Sequence, residues 1–466
     1  MSDTEKDPSV VEQEEKNTYE WDESTFSSLR ERLDSNNKED ITHLFQEELS
    51  AADTADFFAR LSSEDRYRYL EEYSEYILPE TFLYMDDTLS RDLLESLPAI
   101  SIANIISELD SDDALDLLAP LEYEAQQEVL KKLSKKMRAA IQEGLNFPEE
   151  SAGRLMQREV VSVPENWTVG KTIDYLRTAA EQLPSDFFDI IVITPTYHVV
   201  GEIPLNRLIR AQRKVKVKEL TLDSSHPIPA DMDQEDVARI FQRENLASAP
   251  VVDEDQRLIG VITIDDIITI VREEAEEDAL KLVGVEGTGG LYSAIFSTTR
   301  ARFKWLFVNL LTAILASVVI SFFDATIEQI VALAVLMPIV ASMGGNAGTQ
   351  ALTVAVRALA TRELSSGNSM RVIGKETTVG MLNGLAFAVI TGLVTALWFQ
   401  NFALGGVIAL AMVTNLLAAG FFGASIPILF SKMGKDPALA GTVFLTTATD
   451  IIGFFVFLGL AAFFLL

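Results

Sequence analysis

Residues 444–466 form an apolar stretch that contains a single ionisable side chain, Asp450. Insertion of a carboxylate at the centre of a bilayer costs about 2.5–3.5 kcal/mol of free energy on insertion scales. We therefore expect Asp450 to have a function that outweighs this cost. Thr442, Thr446 and Thr449 can share much of one helical face with it. Its carboxyl group is either protonated and bonded to a neighbouring helix or part of an ion or proton path. We favour the path, because the apolar stretches contain no Lys or Arg and a mobile cation is left as the countercharge.

A second polar group lies in the segment MGGNAGTQ, residues 343–350, which is also surrounded by apolar sequence. Gly344 and Gly348 form a GxxxG pair that allows helices to pack closely, which would be a purely structural explanation. Amides and hydroxyls at membrane depth are instead tolerated mainly where they line a cavity. The polar side chains concentrated here are Asn346, Thr349, Gln350 and Thr353. Their concentration favours the lining of an ion path over helix packing alone.

The available ligand atoms limit the identity of the cation. The chain has no Cys, and its three His are scattered and form no metal-ligand spacing. Oxygen ligands favour a hard ion such as Mg²⁺ or Ca²⁺ over Zn²⁺ or Cu²⁺. One intramembrane Asp per chain fits a two-fold pore between two copies better than a cage within one. The sequence motifs of serine hydrolases, P-loop proteins and zinc proteases are missing, so we predict no enzymatic activity.

Five apolar stretches follow residue 303, and each is long enough to cross the roughly 30 Å hydrocarbon layer as a helix of about 20 residues. They are Trp305–Phe323, Gln329–Val356, Thr377–Phe399, Phe402–Phe430 and Pro437–Leu466. Lys and Arg cluster before the first, between the second and third, and between the fourth and fifth. The positive-inside rule therefore predicts a multi-pass protein of the cell (inner) membrane, with a cytoplasmic N-terminus and an extracytoplasmic C-terminus.

Charge divides the chain into two halves. Residues 1–298 contain 29 Lys and Arg against 63 Asp and Glu, whereas residues 299–466 contain nine against six. An acidic half of this kind repels phosphates, which excludes nucleic acid as a partner and favours cations. Residues 1–24 are polar and acidic and are predicted to form a disordered tail.

An internal repeat organises residues 25–150. The segment LSAADTADFFARLSSEDRYRYL matches LPAISIANIISELDSDDALDLL at an offset of 48 residues, which places Leu61 over Leu109 and Asp65 over Asp113. Both copies have the periodicity of short amphipathic helices. We therefore predict an all-α superhelix of stacked helix pairs.

A second repeat, of mixed α/β character, occupies residues 151–271 and relates Gly201 to Gly260 at an offset of 59 residues. Each copy shows a strand, a turn, a strand and the start of a helix. The pair resembles tandem CBS domains, about residues 151–217 and 218–271.

The second copy carries the G-h-h-T-x-x-D signature of the CBS family, with Thr263 and Asp266 at its polar positions. The resemblance implies that this hydroxyl and carboxylate can hold the ribose of an adenine nucleotide, which would make ATP a modulator. In the first copy, Pro204 and Arg207 occupy the equivalent positions. A structural dimerisation module is the alternative.

A highly charged segment, residues 272–298, is predicted to be a helical connector to the five-span domain, residues 299–466. The helical N-domain, tandem CBS domains, acidic connector and five spans together resemble the MgtE family of magnesium transporters over nearly the whole chain. The most specific matching segments are MGGNAGTQALTVAVRALATREL and KDPALAGTVFLTTATD. The resemblance implies a homodimer with a pore on its two-fold axis, where Asp450 of each copy faces hydrated Mg²⁺. The connector would be a plug helix beneath the membrane.

The resemblance also implies that Mg²⁺ bound between the cytoplasmic domains and the plug closes the pore. The matching regulatory positions are Glu80, Asp112, Asp116, Asp266, Glu277, Asp278 and Asp436. Carboxylates gathered at domain interfaces repel one another, so a bridging Mg²⁺ would draw the domains together and limit import. Two acidic positions of the family's sensor are occupied by Asn245 and Thr269, and two Asn positions of its pore by Thr349 and Thr442. The sensing threshold and the preference for Mg²⁺ over Mn²⁺, Co²⁺ or Ca²⁺ therefore stay open.

The predicted function is a homodimeric, Mg²⁺-selective channel that mediates Mg²⁺ uptake and is closed by cytosolic Mg²⁺. One alternative is a membrane-anchored nucleotide or Mg²⁺ sensor, and another is a proton-coupled exchanger of divalent cations that uses Asp450 as its proton carrier. Asp450 and the polar segment around Asn346 speak against the sensor, because a membrane anchor needs neither.

Overall fold

The computed structural model describes residues 22–35, 37–180, 183–184, 187–222, 226–285, 292, 294–364 and 367–466. The chain separates into two compact units, Met1–Glu273 and Glu274–Leu466. The predicted acidic tail, residues 1–24, lies outside the described residues except for its last three, and a helix begins at the second of these, Glu23.

The first unit begins with a series of short helices. They are α1 (Glu23–Asp34), α2 (Lys38–His43), α3 (Ala51–Arg60), α4 (Ser63–Tyr73), α5 (Asp87–Ser96), α6 (Ala99–Glu108), α7 (Ser111–Leu118), α8 (Tyr123–Lys132), α9 (Lys135–Gly144) and α10 (Ala152–Leu155). A π-helical turn, Leu44–Glu48, follows α2, and a 3₁₀-helix, Pro79–Phe82, precedes α5. At the start of α3, Ser50 accepts a hydrogen bond from the Asp53 amide, which satisfies one of the free N–H groups of the helix.

The 48-residue sequence repeat is also a repeat of structure. Helices α3 and α4 occupy the same repeat positions as α6 and α7. Leu61 and Leu109 end the first helix of each pair, and their N–H groups donate to the carbonyl groups of Phe58 and Ile106. All four side chains are buried, as the apolar stripe of an amphipathic helix requires. The predicted all-α N-domain is confirmed.

Two three-stranded sheets follow in the first unit. The strands are β1 (Ser162–Pro164), β2 (Asp189–Ile193) and β3 (Val199–Pro204) in one sheet, and β4 (Ile228–Pro229), β5 (Ser248–Val252) and β6 (Leu258–Thr263) in the other. The accompanying helices are α11 (Val169–Thr178), α12 (Leu205–Arg210) and α13 (Gln234–Glu244). In each sheet the first strand is parallel to the second, and the second is antiparallel to the third. Gly201 pairs with Val192 and Gly260 with Val251, which preserves the predicted offset of 59 residues.

Helix α14 (Ile264–Leu282) follows β6 directly and contains the boundary between the two units. The connector expected over residues 272–298 is therefore not a separate helix, because its first part is the C-terminal end of α14. No Gly or Pro interrupts α14, so one helix can continue from the second CBS repeat. Residues 286–291 and 293 of the connector lie outside the described residues, and residues 295–298 already belong to the next helix.

The second unit contains five helices that are long and apolar enough to span a membrane, as predicted. They are α15 (Ile295–Ser321), α17 (Ala332–Ala360), α18 (Ser369–Phe399), α19 (Phe402–Lys432) and α20 (Pro437–Phe464), with a short helix α16 (Asp324–Gln329) after the first. Four of them, α15, α17, α18 and α19, extend at one end into flanking basic residues.

Helix α19 is the centre of this bundle and contacts α17, α18 and α20. Its crossings depend on glycine: a Cβ on Gly423 would lie 2.6 Å from the carbonyl oxygen of Gly348, and one on Gly384 would lie 3.0 Å from the Cα of Val413. Small residues of this kind let helix backbones approach closely in a membrane, where lipid is as apolar as the side chains. The packing of the bundle thus fixes which sides of α17 and α20 remain open.

Candidate functional site

The polar segment of α17 lies on an exposed face of the single chain. Its exposed polar residues are Asn346, Thr349, Gln350 and Thr353. Gly344 and Gly348 lie on the opposite, buried side. Because exposed positions three or four residues apart fall on one side of a helix, the structure brings the four predicted residues together. The glycines serve packing on the buried face, and the four polar residues occupy the exposed face.

Three threonine hydroxyls of this region donate to carbonyl groups of their own helices. Thr349 Oγ1 donates to the Gly345 carbonyl and Thr353 Oγ1 to the Thr349 carbonyl, each at 2.9 Å. In α20, Thr446 Oγ1 donates to the Thr442 carbonyl at 3.0 Å. A hydroxyl has one proton and two lone pairs, so these oxygens keep acceptor capacity after donating. They can face a cation or the water bound to it.

Asp450 is partly exposed on α20, and no hydrogen bond or ion pair joins it to another residue in the described part of the chain. The alternative of a carboxyl group bonded to a neighbouring helix thus finds no partner there. Thr449 differs from expectation, because it is 0% exposed and donates to the carbonyl groups of Leu445 and Thr446. The open face of α20 therefore contains Thr442, Thr446 and Asp450 but not Thr449.

Helices α17 and α20 approach each other beside these polar faces. A Cβ on Gly345 would lie 3.9 Å from Cγ2 of Thr446, and a Cβ on Gly348 would lie 2.8 Å from the Leu445 side chain. Asn346 follows Gly345 directly, and Asp450 lies about one turn beyond Thr446. The amide of α17 and the carboxylate of α20 consequently belong to one polar strip of the bundle.

The strip offers oxygen atoms but only one carboxylate. Within the described residues, no group of three or more His, Cys, Asp and Glu is placed to hold a metal ion. Mg²⁺ keeps several of its waters and is usually bound through one or two carboxylates, whereas Ca²⁺ is usually enclosed by more ligands. The arrangement therefore suits a hydrated ion in transit better than a tightly chelated one.

The C-terminal end of α14 contacts the strip at Thr442. The Thr442 hydroxyl donates to the carbonyl oxygen of Leu282 at 2.6 Å, and the Leu282 side chain packs against a cluster that includes Leu352 and Leu445. Leu282 ends α14, so its carbonyl has no acceptor role inside that helix. The end of the connector helix is thus attached to a residue predicted to line the ion path.

Lys281 adds two ion pairs to this contact. Its Nζ lies 2.6 Å from Oε1 of Glu277 and 2.9 Å from Oδ2 of Asp436, and its side chain is 18% exposed. Burial alone would lower the pKa of Lys281, but its hydrogen bonds to Glu277 and Asp436 outweigh burial and raise it. Burial and then the charge of Asp436 raise the pKa of Asp278. Three predicted regulatory carboxylates are therefore gathered around an ammonium group.

Sequence reasoning missed Lys281, although a signal was present. Glu277 and Lys281 are four residues apart, with the glutamate first, which is the favourable order for a pair on one helix. Helical spacing could not predict the contact between Lys281 and Asp436, because the two residues are far apart in sequence.

A second group of carboxylates lies in the first unit. Burial, followed by the charges of Asp266 and Asp113, raises the pKa of Asp112 well above its ordinary value. Burial and the charge of Asp266 raise the pKa of Asp113 to about 7, and burial and the charge of Asp265 raise that of Asp266 to about 6. The N-domain and the second CBS repeat thus share unbalanced negative charge, and Asp113 belongs to the group although it was not predicted to.

Asp116 borders that group, because its charge contributes to the raised pKa of Asp113. Desolvation and the charge of Asp87 raise the pKa of Asp116 to about 6, although part of its side chain is exposed. Glu80 is exposed on the 3₁₀-helix Pro79–Phe82. Among the described residues, no hydrogen bond or ion pair joins the Glu80 side chain to the other predicted regulatory residues.

The two residues of the nucleotide signature bond to each other. Thr263 Oγ1 donates to Oδ2 of Asp266 at 3.0 Å, at the junction of β6 and α14. In the first repeat, Arg207 Nη1 donates instead to the carbonyl of Leu220 at 3.1 Å. At the two signature positions, the second repeat thus presents a hydroxyl beside a carboxylate, and the first repeat does not. Asp266 belongs both to this pair and to the acidic group.

The departures from the sensor pattern have a partial structural explanation. Asn245 ends α13 in the left-handed conformation, with φ 53° and ψ 50°, which Asn adopts more readily than other residues with a side chain. Thr269 is exposed on α14, and nothing in the structure explains the replacement there.

Comparisons with known proteins cover both units. The family model of MgtE, a divalent cation transporter, matches residues 337–460. The MgtE intracellular N domain matches residues 49–150, and a CBS domain matches residues 217–273. The polar strip and the helical repeat both lie within these matches.

Curated relatives match most of the chain. It is 30% identical to the magnesium transporter MgtE of Bacillus subtilis over 90% of this chain and 93% of that protein. It is 31% identical to the magnesium transporter MgtE of Thermus thermophilus over 84% and 94%, respectively. A crystal structure of the cytosolic domain of the Mg²⁺ channel MgtE in complex with ATP is 28% identical, with a TM-score of 0.48, and covers 53% of this chain and 99% of that one. The chain therefore belongs to the MgtE family of divalent cation transporters, and it is a membrane transporter and not an enzyme.

Proposed function

We propose that two copies of this chain form a homodimeric channel that conducts Mg²⁺ into the cell. The observation that supports this most is Asp450, an accessible carboxylate within an apolar helix with no partner among the described residues. An ionised carboxylate in a bilayer is costly unless a cation compensates its charge. In a two-fold pore, the two Asp450 side chains would face each other across a hydrated Mg²⁺.

The polar face of α17 supports the same assembly. In a lone chain, the exposed amides of Asn346 and Gln350 would lie against lipid, which is unfavourable for polar groups that are not fully hydrogen-bonded. Asn346 Nδ2 donates to Ser342 Oγ at a long distance of 3.4 Å. A second copy would place both faces around a common aqueous path and remove them from lipid. Cyclic two-fold symmetry is the commonest arrangement of identical chains and needs only one self-complementary surface.

Orientation and direction follow from charge. The basic residues that flank the spans are Arg300, Arg302, Lys304, Arg357, Arg362, Arg371, Lys375, Lys432 and Lys435. By the positive-inside rule they support a cytoplasmic first unit and a C-terminus outside the cell membrane. An inside-negative potential favours cation entry by about 2.3 kcal/mol per charge per 100 mV, so the gradient drives import without ATP hydrolysis.

Cytosolic Mg²⁺ closes this channel by neutralising carboxylates. The raised pKa values of Asp112, Asp113 and Asp266 reflect repulsion and desolvation that a bridging divalent cation would relieve. Near the pore, Lys281 already supplies part of this positive charge to Glu277 and Asp436. The closed form therefore keeps the end of α14 on α20, and bound Mg²⁺ shifts the population towards it.

Flux into reconstituted vesicles tests the proposal. Vesicles with an inside-negative potential should take up Mg²⁺ equally well with and without a pH gradient, and addition of Mg²⁺ to the cytosolic face should slow uptake. Lack of any flux would favour the membrane-anchored sensor, and flux that requires the pH gradient would favour the proton-coupled exchanger. The same vesicles with Mn²⁺, Co²⁺ and Ca²⁺ determine the order of selectivity.

Adenine nucleotide is a proposed modulator that depends on the pair Thr263 and Asp266. Equilibrium dialysis with ATP should show binding that Asp266→Asn removes. Unchanged binding by that variant would leave the second CBS repeat as a structural module.

A further inference from the structure

Asn415 of α19 is a polar side chain enclosed in the middle of the membrane bundle. Its side chain is 0% exposed, and its Nδ2 donates to the carbonyl oxygen of Val340 in α17 at 2.8 Å. Its Oδ1 is buried and has no hydrogen-bond partner in the described structure. A buried side-chain amide is unfavourable in an apolar interior when its NH₂ group is hydrogen-bonded and its oxygen is not. Packing alone therefore does not account for an Asn at this position.

Two glycines on two other helices make room for this amide. A Cβ on Gly344 of α17 would collide with Nδ2 of Asn415 and lie 3.0 Å from its Oδ1. A Cβ on Gly453 of α20 would lie 2.9 Å from the same Nδ2 and 3.1 Å from Cγ. Asn415 thus occupies a notch that α17 and α20 form together. If either helix slid or rotated, its side chains or backbone would collide with the Asn415 side chain.

The notch lies beside the polar strip. Gly344 precedes Asn346 by two residues, and Gly453 follows Asp450 by three. With a rise of 1.5 Å per residue, these separations are less than one helical turn. The hydrogen bond and the notch therefore fix the relative height of the amide on α17 and the carboxylate on α20. A buried Asn can fix the register of packed helices at a cost in stability, as single Asn residues do in coiled coils.

We propose that Asn415 is a positioning residue that sets the selectivity of the ion path by holding α17 and α20 in register. The inference rests on the proposed ion path and adds to it a determinant outside the path. Mg²⁺ requires nearly ideal octahedral geometry, whereas Ca²⁺ accepts six to eight ligands in flexible geometry. Loss of the register should therefore reduce passage of Mg²⁺ more than passage of Ca²⁺.

Vesicle flux of Mg²⁺ and of Ca²⁺, each normalised to folded protein, measures this effect. Asn415→Ala should lower the ratio of Mg²⁺ to Ca²⁺ flux several-fold while total flux persists. The matched control is Thr414→Ala, because Thr414 is adjacent on α19 and its hydroxyl donates only to Leu410 of the same helix. That control should leave the ratio unchanged.

Gly453→Ala keeps the inference testable if Asn415→Ala does not fold. The added methyl group would displace the amide, so the ratio should again fall. In the double variant Asn415→Ala/Gly453→Ala, the methyl group fills the notch and restores packing without the hydrogen bond. The stability of the double variant should recover while its ratio stays low.

The role of Asn415 would be overturned if the folded Asn415→Ala variant or the folded double variant had the same ratio of Mg²⁺ to Ca²⁺ flux as the parent. The proposed ion path would not be affected by that result. A parent protein that conducts neither ion would instead contradict the proposed function itself. Recovery of both stability and ratio in the double variant would show that Asn415 contributes packing only, and this would also overturn the inference.

Discussion

Asp65 and Asp113 occupy equivalent positions of the 48-residue repeat, yet their carboxylates have opposite surroundings. Asp65 forms ion pairs with Arg30 at 2.8 Å and with Arg68 at 3.0 Å. Burial and the charge of Asp266 instead raise the pKa of Asp113 to about 7. One copy of the repeat therefore balances its charge internally, and the other leaves negative charge for a cation to balance.

Asp450 is the residue on which conduction should depend most. Asp450→Asn keeps the shape of the side chain but removes its charge, so the divalent ion loses its only carboxylate in the strip. A hydrogen bond to a charged group is worth roughly 1.5–3 kcal/mol, so Mg²⁺ flux should fall by at least about 100-fold if both copies contribute. Flux into vesicles measures this, and size-exclusion chromatography checks assembly.

Asp324→Asn is the matched control for that experiment, because Asp324 is an exposed carboxylate of the same unit at the start of α16. It should conduct like the parent. Parent-like flux through Asp450→Asn would contradict the role of Asp450 in the path.

Residue types predicted the polar positions that we propose to line the ion path, but not the residues that contact them. Asp450 and the polar positions of α17 could be found because charge and amides are rare in apolar spans. Thr449 was placed on the wrong face, because helical spacing does not reveal which neighbouring helix covers a side chain. The hydrogen bond from Thr442 to Leu282 joins residues 160 positions apart, and no local pattern contains it.

At the scale of elements, α14 is the helix that contains the boundary between the two units. Its first turn contains Asp266, which belongs to the acidic group of the first unit. Its C-terminal end contains Lys281 and Leu282, which contact Asp436 and Thr442 at the start of α20. The sequence predicted both a CBS helix and a connector helix here. It did not reveal that they are continuous, since an absence of helix breakers is compatible with one helix or two.

Lys281→Gln should loosen the end of α14 when cytosolic Mg²⁺ is low. Glu277, Asp278 and Asp436 would then repel one another without a compensating ammonium group. A partly exposed ion pair is worth about 0.5–1 kcal/mol, so the open fraction, and with it flux at low Mg²⁺, should rise by about two- to fivefold. Closure at millimolar Mg²⁺ should persist, because Mg²⁺ can replace the lost charge.

Lys435→Gln controls for the loss of a positive charge in the same region, since Lys435 is exposed next to Asp436. It should leave flux at low Mg²⁺ unchanged. Equal flux for Lys281→Gln and the parent at low Mg²⁺ would argue against a closing role of the Lys281 ion pairs.

At the scale of the whole molecule, negative charge is concentrated in residues 1–298, with 63 Asp and Glu against 29 Lys and Arg, and the long apolar stretches lie in residues 299–466. Composition alone predicted this division and the five spans. The sites that we propose for regulation depend instead on which carboxylates the fold brings together, as Asp112 with Asp266, and these residues belong to different domains of the first unit.

The acidic group should make the cytosolic half sensitive to pH when divalent cations are chelated. The pKa values of Asp113, at about 7, and of Asp266, at about 6, are above those of an unfolded chain. The folded form therefore binds more protons between about pH 4 and pH 7, so its stability should fall as pH rises through this window. In the full-length protein with chelator, limited proteolysis of the first unit should be faster at about pH 8 than at about pH 5.5.

Millimolar Mg²⁺ should slow that proteolysis strongly at the higher pH and weakly at the lower pH, because protons already neutralise the same carboxylates there. Asp113→Asn should reduce the difference between the two pH values, since it removes one of the repelling charges. Asp56→Asn, an exposed substitution on α3, is the control and should behave like the parent. Proteolysis that responds to neither pH nor Mg²⁺ would mean that these carboxylates do not sense the cation, and the channel would then need another means of closing.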